Sequence, residues 1–211
     1  MDTYRLFPDN ILALNPRIFT ASESNLNCSG KFSAVVAEET LVIPYRVYTD
    51  CNENIYHVYE DFQPVVAACY FSRHNDGFVR EGSLHFLLNS ENMQDFALPY
   101  ILKLAEEYVV ELAEIIINKF ELLPKCMLEN FVRENAQWPQ RMYQRSTSYW
   151  NCYYRNRYKR LGDYPGIIIS NKLKEIATKR YRYHFVCGPV PIPERESKSG
   201  LSRNHKANYE P

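Results

Sequence analysis

From Gln63 onward the apolar residues recur every three to four positions, and the interruptions fall at Pro, Gly, Asn and Asp. Pro64 fits a first helical position, and Val65-Val66-Ala67-Ala68-Cys69-Tyr70-Phe71 predicts a compact apolar helix that His74-Asn75-Asp76-Gly77 stops. A second helix is predicted over 78–88, with Val79, Leu84, Leu87 and Leu88 apolar and Asn75 or Asp76 available as N-cap. The strongest pattern opens at Pro99. As far as Phe120, residues Ile101, Leu104, Ala105, Tyr108, Leu112, Ile115 and Ile116 make one stripe, and Lys103, Glu107, Glu111, Glu114 and Asn118 make the opposite, polar face. This predicts one continuous helix of roughly 33 Å at the standard rise per residue. Pro124 starts a short helix to about Glu134, Pro139 a longer one to Tyr158, and Gly162-Asp163-Tyr164-Pro165-Gly166 breaks the series. A last helix is expected within 167–183, although Ile167-Ile168-Ile169 leaves a strand open there.

Before Gln63 the pattern is different. Residues 1–61 mix Pro, Asn and Ser with short alternating runs. The best local reading is a β-hairpin of 41–48 (LVIPYRVY) with 55–59 (IYHVY), turned by Thr-Asp-Cys-Asn-Glu-Asn, with Pro44 confining its strand to an edge. After Cys187 the chain becomes Pro-, Ser- and charge-rich with little to bury, which predicts a disordered tail. The expected architecture is therefore mainly α: packed helical hairpins over 62–187, an irregular segment with a small β-hairpin over 1–61, and a tail over 188–211.

Composition narrows the classes. With 45% hydrophobic and 24% charged residues, 211 residues suffice for one domain with a real core. Seventeen Tyr and eleven Phe are an excess, so many tyrosines should sit half-buried with the hydroxyl on a polar partner. The six cysteines form no Cys-x-x-Cys pair, which argues against structural zinc. The N-terminus lacks a basic region followed by an apolar core, and the longest apolar stretch is broken by Glu111 and Glu114. The expectation is a cytoplasmic chain with reduced thiols and no membrane span. Asn27-Cys28-Ser29, a glycosylation pattern, then reads as an ordinary loop.

Phe-Val-Arg-Glu occurs twice, at Phe78-Val79-Arg80-Glu81 after Asp76-Gly77 and at Phe131-Val132-Arg133-Glu134 after Glu129-Asn130. An acidic residue, then Val-Arg, then a small residue before Leu resembles the second helix of HEAT-type repeats, over about residues 63–136. The resemblance implies stacked helix pairs and a scaffold that binds other proteins.

Net charge is zero, but the charge is segregated. Residues 1–134 carry ten Lys/Arg against twenty Asp/Glu, and residues 135–187 carry eleven against two. Within the basic part Arg141, Arg145, Arg155, Arg157, Lys159 and Arg160 interleave with Tyr143, Tyr149, Trp150, Tyr153, Tyr154 and Tyr158, a composition suited to phosphates and stacked bases. Tyr143, Thr147, Trp150, Tyr154 and Tyr158 also follow helical spacing and read equally as a core stripe, with the arginines docked on acidic neighbours.

No cofactor motif is present: seven glycines form neither a dinucleotide fingerprint nor a phosphate loop. Glu81 and His85, one turn apart, could join Glu107 and Glu111 around a metal, but acidic residues so spaced ordinarily form a solvated face. His74, Asp76 and Glu81 could support acid/base chemistry, although His-Asn-Asp-Gly is also what a capped turn requires. Cys69 reads as a buried hydrophobe, and Cys152, among Arg155 and Arg157, as the thiol best placed for activation. The first reading is a non-enzymatic, helical protein-binding module that uses Arg141, Arg145, Trp150, Tyr154, Arg155, Arg157, Lys159 and Arg160. Nucleic-acid binding by the same face is the rival, and an enzyme near His74, Asp76 and Glu81 the third.

Overall fold

The computed structural model describes residues 4–14, 28–48, 64–91 and 93–187. Among them are eight α-helices and one two-stranded antiparallel sheet, the mainly α architecture expected from the periodicity. In chain order these are α1 (Asp9–Leu14), β1 (Cys28–Val36), β2 (Glu39–Val47), α2 (Pro64–Phe71), α3 (Gly77–Asn89), α4 (Leu98–Leu104), α5 (Val110–Lys119), α6 (Lys125–Glu134), α7 (Trp138–Tyr149) and α8 (Pro165–Cys187). A π-helical turn, Trp150–Tyr154, extends α7. No helix among the described residues is long and apolar enough to cross a membrane.

The hairpin corrects the expected pairing. β2 covers most of the strand foreseen at 41–48, but its partner is upstream: Phe32 faces Ile43, Ala34 faces Leu41, and Val36 faces Glu39. Segment 55–59 and the tail after Cys187 lie outside the described residues. The turn is Ala37-Glu38, with φ of 52° and 68°. A two-residue hairpin loop of this kind needs positive φ at both positions, which Asn-Gly supplies and Ala-Glu does not advertise. Part of what holds it is α6, where Glu134 accepts the Ala37 N–H at 3.1 Å. Val42 exchanges both backbone hydrogen bonds with Arg5 on the outer edge. Pro44, two residues on, turns its nitrogen to that same edge, where no ladder bond is lost.

Hairpin and helices share one core. Phe32, Leu41 and Ile43 belong to the same buried cluster as Leu98, Ile101, Leu112, Phe131 and Trp138. Asn135, just past α6, pins the strand: its Oδ1 accepts the Val35 N–H at 2.8 Å, and its Nδ2 donates to the Val35 carbonyl at 2.7 Å.

The continuous helix over 99–120 is not formed. It is split into α4 and α5, with residues 105–109 as a non-helical link. The Glu106 and Glu107 N–H groups bond back three residues, to Lys103 and Leu104, and the chain then extends at Val109. Two packing relations hold the break. The Tyr154 hydroxyl accepts the Val110 N–H at 3.4 Å and donates to the Tyr108 carbonyl. Gly166 at the start of α8 comes so near that a Cβ there would lie 3.1 Å from the Ala105 oxygen and 2.5 Å from Ser146 Oγ. The rotation reverses part of the expected faces: Lys103 and Glu107 are buried, while Tyr108, assigned to the apolar stripe, is 56% exposed.

The two Phe-Val-Arg-Glu copies present opposite sides. Phe78 is 85% exposed and Arg80 buried, whereas Phe131 is buried and Arg133 exposed. Residues 165–187 are helical, with Ile167 and Ile169 buried; α8 lies along α7, so its β-branched triplet serves a helical face.

Candidate functional site: a cationic cleft at the helix break

The break between α4 and α5 carries two buried carboxylates, Glu106 and Glu107, and the surrounding elements bring cations to them. The end of β2 joins the α2–α3 turn through Val47, whose N–H donates to the Arg73 carbonyl at 2.8 Å and whose carbonyl accepts from Asn75 at 3.0 Å. That junction sets Arg46, Arg73 and the first turn of α3 side by side. Three arginines then converge on Glu107. Arg46 grips it with both Nη atoms, at 2.8 and 2.7 Å, Arg73 Nη2 lies 3.3 Å away and Arg80 Nε 3.2 Å away. Arg80 also donates to the carbonyls of His74 and Asn75.

Glu106 holds a second set. Lys103 Nζ lies 2.7 Å from Glu106 Oε2, and Arg145 Nε of α7 is 3.5 Å from the same atom. The Lys103 ammonium sits 4.8 Å from the centroid of Phe32, 4.7 Å from that of Tyr45 and 6.0 Å from that of Trp138, three electron-rich faces around one cation. Burial pushes this amine down to about 8, against the pull of Glu106. Burial also lowers Arg73, to about 10, with Glu107 opposing. Gly30, at φ 55°, makes room for the Tyr45 ring: a Cβ there would lie 2.8 Å from Tyr45 Cδ2.

These groups line a cleft of about 300 Å³ formed by Tyr45, Arg46, Lys103, Glu106, Glu107, Tyr108, Arg145 and Tyr149. Arg73 and Arg80 stand behind it on Glu107. Among the described residues five cations therefore gather on Glu106 and Glu107, with Asp76 also acting on Arg80, and the Arg73 Nη atoms make no hydrogen bond. A buried charge surplus of this kind is costly alone and is relieved by an anion.

The sequence-selected residues divide. Arg145 lines the cleft. Arg157 reaches across to Glu111 at 2.9 Å and Glu114 at 2.7 Å, and Arg160 pairs locally with Asp163 at 3.0 Å. Arg155 donates to Asn151 and lies 5.0 Å over Trp150, and the exposed Arg141 lies 5.8 Å over Trp138. Lys159 is exposed. Trp150 and Tyr154, with Tyr143 and Tyr158, pack on Val110, Tyr164 and Ile167, so the helical spacing does mark a small second core.

The turn of His74, Asp76 and Glu81 is occupied structurally. Asp76 caps α3 by accepting the Phe78 N–H at 2.8 Å, and its own N–H donates to His74 Nδ1 at 3.0 Å. Glu81 and His85 lie 4.0 Å apart on the surface. Glu107, buried under arginines, does not join them with Glu111, and no three metal-ligating side chains gather among the described residues. Cys69 is buried with its thiol pushed up by desolvation, and Cys152 is exposed. Arg46, Arg73, Arg80, Lys103 and Glu106 were not picked out from the sequence as one site because they come from β2, the α2–α3 turn, α3, α4 and the link after it; the one local signal was Lys103 three residues before Glu106. Comparison with family models, characterised proteins and solved structures found no match.

Proposed function

We propose that this chain is a non-enzymatic helical binding module that accepts, in the cleft at the helix break, an anionic group carried by another protein. The observation that carries the reading is the open cleft in which Arg46, Lys103 and Arg145 stand beside Glu106 and Glu107, with Arg73 and Arg80 buried behind Glu107 and sharing its charge. Arginine forks match carboxylate and phosphate oxygens, and aromatic walls exclude water from the bound group. The basic helix enters through its inner edge, Arg145 and Tyr149, rather than as a continuous stripe. Against polynucleotide binding stands the engagement of Arg157 and Arg160 with carboxylates, which leaves fewer free phosphate contacts.

Isothermal titration of the full chain with inorganic phosphate and sulfate at low salt tests the reading. Expected is saturable one-site binding that weakens with salt and is lost in Arg145→Glu, a half-exposed position whose substitution leaves Lys103 to hold Glu106. Absence of binding, or binding indifferent to Arg145→Glu, overturns it. Tight, salt-dependent binding of single-stranded RNA that disappears in Arg155→Glu/Arg157→Glu would instead favour the nucleic-acid reading.

A further inference from the structure

We infer that the group accepted by the cleft is an aryl phosphate monoester, whose protein-borne form is a phosphotyrosine side chain; this rests on the anion-binding reading above. Charge is the first argument. Arg46, Lys103 and Arg145 line the cleft beside Glu106 and Glu107, with Arg73 and Arg80 behind Glu107, so cations outnumber carboxylates. The Arg46 fork is held by Glu107, and Arg145, whose Nη2 is bonded only to the Tyr45 hydroxyl at 3.4 Å, is the guanidinium left to meet phosphate oxygens. The second is the character of the walls. Three of the eight lining residues are tyrosines: Tyr45 from β2, Tyr108 from the helix break and Tyr149 from α7. Their rings are not interchangeable. Tyr45 is fixed in place by Gly30 across the strand and by the Lys103 ammonium. Tyr149 is supported by Tyr153, stacked at 6.4 Å between centroids with 29° between planes. Tyr108 stands at the mouth of the cleft, 56% exposed, with its ring open to a bound group.

The third argument is size. A bare phosphate displaces only a few waters, at roughly 30 Å³ each, and would leave most of a 300 Å³ cleft wet. A phenyl ring bonded to the phosphate fills that remainder and meets the tyrosine faces, gaining burial and ring-on-ring contact that a phosphoserine side chain cannot make. Charged floor and aromatic rim thus select a phosphate and the ring beside it together.

Titration of the full chain with phenyl phosphate, inorganic phosphate, O-phosphoserine, tyrosine amide and a short phosphotyrosine peptide decides the matter. Phenyl phosphate should bind at least tenfold more tightly than inorganic phosphate or O-phosphoserine, and tyrosine amide should not bind. The preference should fall to near parity in Tyr108→Ala/Tyr149→Ala, with the circular dichroism spectrum and thermal melt of the variant showing that it is folded. A peptide that binds at least as tightly as phenyl phosphate identifies the protein-borne source; a peptide that is rejected while phenyl phosphate binds identifies a free aryl phosphate. Equal binding of phenyl and inorganic phosphate overturns the inference and leaves the anion-binding reading standing. Failure of every phosphate overturns both.

Discussion

Arg46 and Glu107 meet fork to fork, Nη1 at 2.8 Å from Oε1 and Nη2 at 2.7 Å from Oε2, and the same carboxylate is shared with Arg73 and Arg80. One glutamate thereby ties β2, the α2–α3 turn and the first turn of α3 to the break between α4 and α5. Glu107→Gln should destabilise the fold by about 3–5 kcal/mol, because it leaves three buried or half-buried guanidinium groups without their anion. Glu111→Gln, at an exposed position paired with Arg157, should cost under about 1 kcal/mol. Urea denaturation of both variants checks the contrast, and equal losses would mean that Glu107 is not the keystone.

The pH response of Lys103 has a definite sign. Its folded value of about 8 lies below the unfolded value of about 10.4, so between those limits the unfolded chain holds the proton more firmly. The contribution of this group to stability therefore rises as pH increases from about 8 to about 10, and is flat below 8, where both states are protonated. Measured as the stability of the wild type minus that of Lys103→Met, the difference should climb across this window. A flat difference would place the amine in a solvated setting, and a falling one would mean that the pull of Glu106 outweighs burial.

The hairpin turn should be improvable. Ala37 and Glu38 both sit in the left-handed region, which costs a residue with a side chain roughly 1–2 kcal/mol. Ala37→Asn/Glu38→Gly should raise stability by about 1 kcal/mol in thermal or urea melts, since both residues suit such a turn and the Ala37 N–H to Glu134 is retained. A loss of stability would show that the side chain of Glu38 has a role that the turn geometry does not reveal.

Leu112 is buried on α5 while its neighbour Glu111 is exposed. Leu112→Ala should cost about 2–5 kcal/mol through lost burial and a residual cavity, and Glu111→Ala far less. Similar losses in the two variants would contradict the assignment of the α5 faces.

What could be read from the sequence was what depends on neighbours along the chain. Pro64, Pro124 and the Asp76 cap start helices where expected, because capping and the fixed φ of proline act within one turn. The alternation of 41–48 found β2 but not its partner, since Cys28-Ser29-Gly30-Lys31 hides an inward-facing strand and Ala37-Glu38 carries no turn signal. The break at 105–109 was invisible for a related reason. A straight helix satisfies the local periodicity equally well, and what opposes it is remote: Arg46, Arg73, Arg80 and Arg145 drawing Glu106 and Glu107 inward, with Gly166 and Tyr154 holding the bend. The basic aromatic helix was recognised as unusual, but only tertiary contacts sort Arg145 into the cleft and Arg157 onto α5.

The central claim is that the cleft at the helix break is an anion site. Its most direct test is a selenate soak of crystals of the full chain at low salt, with the ion located by its anomalous scattering. A selenate ion is expected in the cleft, its oxygens within hydrogen-bonding reach of Lys103 and Arg145 and beside Arg46. Peaks confined to the outward cations Arg141, Arg155 and Lys159, with none in the cleft, would contradict it.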